Sequence, residues 1–448
     1  MSNSSNTVRV LRVGIFFDGT ANNLLNSQLG QALEAQGQSI DLTSSYGGVA
    51  TNIAKLHALY PSQLAFDANG PGQTSIYVSG IGTTTGEADT RFPGQSYGRG
   101  RTGVLGKAEE AQALLEQCVK HFLRNQPPHT LGRLQLDIFG FSRGAAAARH
   151  FANAVNATRF DTLFELAPGF TCEICFIGLF DTVAAVGGLA DLGDISDELN
   201  TGLNLYLGPD CAQQVVQLSA RDEHRRNYAL SRIAPQWPLD IAVPGAHADV
   251  GGGYPRQMQE QVWLTRWETN RLSPSTSLQL SRAFKITEAQ LPEWQARELL
   301  DPHDPNAVLE VRTASENVGS RQDPTKRVQA AIYMQRRVYG HLSRIYLAIM
   351  HRMATECGVP FIGLEHSEGV QLPKELQPVA AKLSAQVVNG AIELTDDEER
   401  LLRQRYIHQS AHWNPAIGKG LGVVDKVFFN IPQAGGRRVY DQQPPRYA

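Results

Sequence analysis

Residues Gly140-Phe141-Ser142-Arg143-Gly144 set a serine between two glycines, after the strand-like run "LDIFGF" and before the alanine-rich "RGAAAARHFANAV". A G-x-S-x-G elbow needs small flanking residues because the turn is tight. It lifts the hydroxyl above the sheet and aims a helix N-terminus at a developing oxyanion. Ser142 is therefore the candidate nucleophile, set against the plainer reading of a glycine-rich structural turn. The Arg143 backbone N–H is the first candidate oxyanion donor.

A nucleophilic serine requires a base and an acid. Among twelve histidines, His247 stands out in "VPGAHADVGGGYP", beyond a short strand and before three glycines that let backbone approach closely. Its rival is His408 in "YIHQSAHWNP". For the acid, Asp181 ends the apolar run "CFIGLFD", at the strand edge where open α/β sheets bind ligands. Asp249, two residues from His247, is the less natural orienter of that ring. The order Ser142, Asp181, His247 is the nucleophile–acid–base order of α/β-hydrolases. "FFDGTANN" places Asp18, Gly19 and Thr20 at the end of the first strand, where Gly19 or Thr20 would supply a second oxyanion N–H. The rival chemistry is a metal-dependent phosphoesterase using Asp18, Asp181 and Asp249, a reading that leaves the serine elbow without a task.

These residues need a scaffold. Strands are expected at 8–20, 72–83, 133–140, 173–183 and 238–247, with helices at 104–124 and after Ser142. Dense apolar strands separated by helices predict an α/β fold, a mostly parallel sheet flanked by helices. The expected division is an α/β-hydrolase core over 8–265, interrupted by glycine-rich inserts at 82–103 and 187–208, and a mainly helical part over 266–448 with short terminal strands. The stretch 326–353 carries an apolar stripe that predicts one long amphipathic helix. "TDDE" (395–398) predicts a capping box. "RDEHRRNYAL" (221–230) is expected to brace the core through Arg–carboxylate pairs on a helix, with headgroup binding as the alternative. Leu189, Leu192, Leu203 and Leu205 of the second insert are candidates for a lid over an acyl channel.

The chain has 448 residues and a formal net charge of −3, so nothing draws it to a nucleic-acid backbone. The opening residues have neither a basic nor an apolar segment of the secretory kind, and no 18-residue apolar run suggests a membrane span. Five cysteines are too few for a disulfide scaffold. The single Cys172-x-x-Cys175 pair lacks the second pair of a zinc ribbon, and buried structural thiols are expected.

Taken in order, "FFDGTANN", "TNIAKL", "GIGT", "GFSRGAAAAR", "GLFDTV", "LSARDEHRRNYAL" and "GAHADVGGGY" resemble the uncharacterised α/β-hydrolase domain of bacterial type VI secretion lipase effectors of the first class. The resemblance spans about residues 10–260. It implies a Ser-His-Asp phospholipase that cleaves acyl esters of glycerophospholipids without a cofactor or metal, with Ser142, Asp181 and His247 as the matching positions. It further implies membrane glycerophospholipids, a secretion spike and a cognate immunity protein as partners. Synthesis in the cytoplasm and delivery into a rival cell's periplasm would follow. The Phe180 that precedes Asp181 departs from the bulkier aromatic usual there, and "YIHQS" echoes a histidine-serine segment of some related effectors.

Overall fold

The computed structural model describes residues 9–35, 48–62, 72–83, 103–124, 131–184, 202–320, 322–367, 369–415 and 428–444. Six strands form one wholly parallel sheet: β1 (Arg9–Phe17), β2 (Gly72–Val78), β3 (Leu131–Phe141), β4 (Thr171–Phe180), β5 (Gln214–Ala220) and β7 (Asp240–Val243), in the order β2-β1-β3-β4-β5-β7. The short β6 (Leu230–Ser231) lies outside this sheet.

Both faces of the sheet are covered, which is why its strands read as continuous apolar runs. Leu11, Val13, Ile15 and Phe17 of β1 face one core with Leu134, Leu136 and Ile138 of β3. That core is closed by α3 (Val104–Arg124) and α4 (Arg143–Ala157). Alanines 145–148 of α4 are fully buried, so the helix lies close against the strands. On the opposite face Phe16, Phe139, Phe176 and Phe180 pack against α2 (Asn52–Leu59) and α9 (Leu342–Glu356), with α10 (Gln377–Gln386) and α11 (Asp396–Arg405) beyond. Thus residues 342–407 complete the hydrophobic core of the first half of the chain. The capping box expected at 395–398 is formed: Thr395 Oγ1 accepts from the Glu398 amide and Glu398 Oε2 accepts from the Thr395 amide.

The stretch 326–353 is not one helix. Residues 326–338 are β11 (Lys326–Val338), and the helix begins only at Leu342. β11 is the centre of an antiparallel sheet with β8 (Met258–Trp263), β9 (Glu268–Leu272) and β10 (Val308–Asn317). Its residues 328–334 are buried on both faces, which removes the polar–apolar alternation that marks a strand, and the same apolar set also fits a helical stripe. The boundary expected near 265 falls between β8 and β9 of this one sheet. Of the expected terminal strands, β12 (Val439–Tyr440) pairs with β6, while the first half of "VDKVFFNI" lies outside the described residues and its second half, 428–431, is not a strand. Residues 221–230 form turns rather than a helix, although the expected pairs are present: Glu223 with Arg225 and Arg221 with Glu399.

Most of the insert 82–103 and residues 187–201 of the second insert, including Leu189 and Leu192, lie outside the described residues. Leu203 and Leu205 pack against the first core. All five cysteines are unbridged, and burial pushes the thiols of Cys172 and Cys175 up to about 12 and about 11, as expected of structural thiols. No helix among the described residues is long and apolar enough to cross a membrane.

Arg336 ties the antiparallel sheet to the segments beside it. It is buried, pairs with Glu260 at 2.7 Å and donates to the carbonyls of Leu299, Arg403 and Ile407. Replacing one member of such a pair leaves the other charge stranded. Arg336→Met is expected to lower unfolding free energy by about 3–5 kcal/mol, measured by urea titration, and adding Glu260→Gln should restore part of the loss. No change in the urea midpoint of the single variant would contradict this reading.

Candidate active site

The elbow begins where β3 ends. Ser142 adopts φ +60° and ψ −129°, a conformation that a non-glycine residue rarely takes and that costs roughly 1–3 kcal/mol. The surrounding structure over-determines it. The Ser142 amide donates to Phe180 O (3.0 Å), and the Ser142 carbonyl accepts from Ala145 N (3.0 Å) and Val183 N (3.2 Å). The two flanking glycines are steric requirements. A Cβ on Gly140 would lie 2.6 Å from the Ala145 Cα, and one on Gly144 would lie 2.2 Å from the Asp18 carbonyl oxygen. Arg143 is the first residue of α4, so its amide lies at the positive end of the helix.

The bonds from Phe180 and Val183 bracket Asp181, so the backbone that fixes Ser142 also fixes Asp181. Asp181 has φ +44° and is fully buried. Its carboxylate is saturated. Oδ1 accepts from Ala220 N (2.8 Å) and Arg437 Nη1 (2.7 Å); Oδ2 accepts from Arg437 Nη2 (2.9 Å) and lies 2.5 Å from His247 Nδ1. Burial alone would raise the pKa of Asp181, but Arg437 and then His247 override it and hold the group well below the usual carboxylate range.

His247 opens the short helix α6 (His247–Gly251), reached from β7 through Pro244 and Gly245. Its backbone N–H donates to Glu223 Oε2 (3.2 Å), and its ring lies 4.6 Å from that of Phe141 and 4.7 Å from that of Tyr228. Phe141, whose ring lies against His247, immediately precedes Ser142. With Nδ1–H committed to Asp181, Nε2 is the basic nitrogen. Burial lowers the His247 pKa, opposed by the bond to Asp181. Glu223, likewise fully buried, is held at about 2 because Arg225 outweighs its desolvation.

The first turn divides the roles expected of it. Asp18 Oδ1 accepts from the Gly19 amide (2.7 Å) and from Thr51 Oγ1 (2.7 Å), while Oδ2 accepts from Tyr77 OH (2.5 Å). The Gly19 amide is therefore occupied and is not the second oxyanion donor. Thr20 keeps that candidacy, and its buried Oγ1 has no hydrogen-bond partner among the described residues. Asp249 and His408 form a pair of their own: Asp249 Oδ1 lies 2.6 Å from His408 Nδ1, and Oδ2 accepts from the amides of His408 (2.9 Å) and Ala246 (3.0 Å). The Tyr254 ring stacks on His408 at 3.6 Å. Both side chains are buried, and they brace the start of α6 rather than joining Ser142 and Asp181. Asp18, Asp181 and Asp249 thus accept from three different sets of donors. Among the described residues no group of three or more His, Cys, Asp or Glu could hold a metal ion. The trio expected of a phosphoesterase is not assembled.

The residues that sequence reasoning missed are Arg437, Glu223 as a support for His247, and Tyr228. Arg437 lies in "GGRRVYD", where nothing local relates it to an aspartate 256 positions away. The other two lie in "RDEHRRNYAL", whose sequence suggests bracing or headgroup binding but nothing that singles out His247 as a neighbour.

No family model matches the chain, and no curated protein matches it. Among solved structures, it is similar to the Tle1 effector bound to the VgrG spike from the type 6 secretion system, at 28% identity and a TM-score of 0.75, covering 97% of this chain and 94% of that one. An uncharacterised protein from Pseudomonas aeruginosa matches at 20% identity and a TM-score of 0.41, over 89% of this chain and 53% of the other.

Burial raises the Asp18 pKa from 3.8 to about 6 despite its three donors. Between those values the native state binds more protons than the unfolded chain, so the contribution is full below about pH 4 and is lost as pH rises through 6. Asp18→Asn is expected to remove that slope. Between pH 4 and pH 7 the variant should gain up to ~3 kcal/mol relative to wild type, read from urea unfolding at both pH values. Parallel stability curves would refute the assignment.

Proposed function

We propose that the chain is a serine phospholipase that hydrolyses acyl ester bonds of glycerophospholipids through Ser142, His247 and Asp181, and acts as a type VI secretion effector. The observation that carries the chemistry is the Asp181–His247 pair, which shares its anchoring strand end with a serine in a strained strand–turn–helix elbow. The sequence resemblance to lipase effectors, and the similarity to an effector over nearly the whole chain, support the substrate class and the biological setting.

In this reading His247 Nε2 takes the Ser142 hydroxyl proton as Oγ attacks the acyl carbonyl. Asp181 fixes the tautomer and stabilises the imidazolium. The amide of Arg143, with the amide or hydroxyl of Thr20, faces the oxyanion, each donor contributing roughly 3–4 kcal/mol. Collapse of the tetrahedral intermediate breaks the ester bond, and His247 returns the proton to the departing lysophospholipid oxygen. Water, deprotonated by His247, then cleaves the acyl-serine and releases fatty acid. No step requires a cofactor. The partners of this reading are membrane glycerophospholipids, a secretion spike of the VgrG kind and a cognate immunity protein, and the site of action is the target-cell periplasm.

The test is hydrolysis of phosphatidylglycerol and phosphatidylethanolamine vesicles in EDTA, with products separated by acyl position. Wild type should release fatty acid and lysophospholipid, and Ser142→Ala should fall by at least about 10³-fold. Equal rates for the two proteins, or release of the headgroup instead of fatty acid, would overturn the reading.

A further inference from the structure

The acid of this site is held by a residue from the far end of the chain. Arg437 lies just before β12, and four of its N–H groups are directed at the site's frame. Two form a fork on Asp181, a third donates from Nη1 to Ala220 O (3.0 Å), and Nε–H donates to Tyr228 O (2.6 Å). The tail is anchored independently nearby: Gln442 bonds to Arg149, Leu207, Ile233 and Gln236, and β12 pairs with β6. Arg437 is therefore not needed merely to attach the tail, and its fork addresses the carboxylate that faces His247.

We infer that Arg437 is a positioning residue for the proposed hydrolysis, fixing the Asp181 carboxylate toward His247 and supplying the positive charge that offsets it. This rests on the Ser142–His247–Asp181 reading. The charged and titratable groups around His247 are Asp181 at the end of β4, Glu223, Arg225 and Tyr228 of the loop after β5, Asp249 within α6, Arg437 of the tail, and Arg143 of α4 near Tyr228. Asp249 is engaged by His408. The two carboxylates that bond to His247 directly, Asp181 and Glu223, are each paired with one guanidinium, Arg437 and Arg225 respectively. The set is neutral until His247 takes a proton.

A consequence of definite sign follows. Without the Arg437 charge, the Asp181 carboxylate that bonds to His247 loses its paired cation, and imidazolium is favoured. The acid limb of kcat/KM, which reports the base that must be neutral, should then move to higher pH. A lysine at 437 keeps a charge but cannot form the planar fork, so it should preserve the limb while loosening Asp181.

The experiment compares wild type, Arg437→Gln, Arg437→Lys and the tail control Gln442→Ala. For each, the pH profile of phospholipid hydrolysis is set beside a ring-carbon NMR titration of His247 in histidine-labelled protein. Arg437→Gln is expected to raise both the acid limb and the His247 midpoint by about one pH unit and to lower kcat about tenfold or more. Arg437→Lys should lower kcat with the limb within about 0.3 unit of wild type. Gln442→Ala should lower Tm and leave the limb in place. A His247 midpoint that is unchanged in Arg437→Gln, in folded protein, would overturn the inference. Absence of hydrolysis in the wild type together with a raised His247 midpoint in Arg437→Gln would sink the phospholipase reading while sustaining the charge coupling.

Discussion

A fully buried carboxylate has to be neutralised by its surroundings or surrender its charge, and much of this molecule is arranged around that demand at Asp181. Four hydrogen bonds converge on it: from the β5 edge, from α6 through His247, and twice from the tail through Arg437. A carboxylate offers about four lone-pair directions, so this one is saturated. Saturation lets it remain ionised without solvent, and an ionised acid is the condition for orienting an imidazole. Position and charge state are set by the same contacts.

The elements that deliver those contacts come from the whole length of the chain, which explains the interleaving of its two halves. The parallel sheet places Ser142 and Asp181 at adjacent strand ends, but one of its faces would be open without α9–α11. The antiparallel sheet centred on β11 then presents Arg336 and Glu260, whose second carboxylate oxygen accepts from the Gln409 amide next to His408. His408 in turn holds Asp249 and the start of α6. His247 is thus supported from behind by residues more than 150 positions later in the chain.

Much of this was legible from sequence, and the boundary of legibility is physical. Ser142, Asp181 and His247 each sit where a local pattern changes: a strand runs into a glycine-framed turn, an apolar run meets an acid, and a short strand meets a glycine cluster. Such signals are local, and the parallel fold follows from the same runs. The sequence of β11 fits a helix as well as a strand, because a strand buried on both faces has no alternation to distinguish the two. Arg437 was invisible because an arginine acquires meaning only from what lies opposite it after folding. The Gly19 amide is the subtler case. Its place in the turn was read correctly, but only coordinates reveal that the neighbouring Asp18 side chain already occupies its N–H.

The claim that most else rests on is that Ser142 is an activated nucleophile. Treating the intact protein with an acyl-mimicking fluorophosphonate, then mapping the adduct by peptide mass spectrometry, tests it without assuming a lipid substrate. The account predicts a single covalent adduct on Ser142 that is absent in His247→Ala, since the hydroxyl is unreactive without its base. An unlabelled Ser142 in folded wild-type protein, or labelling that persists undiminished without His247, would contradict it.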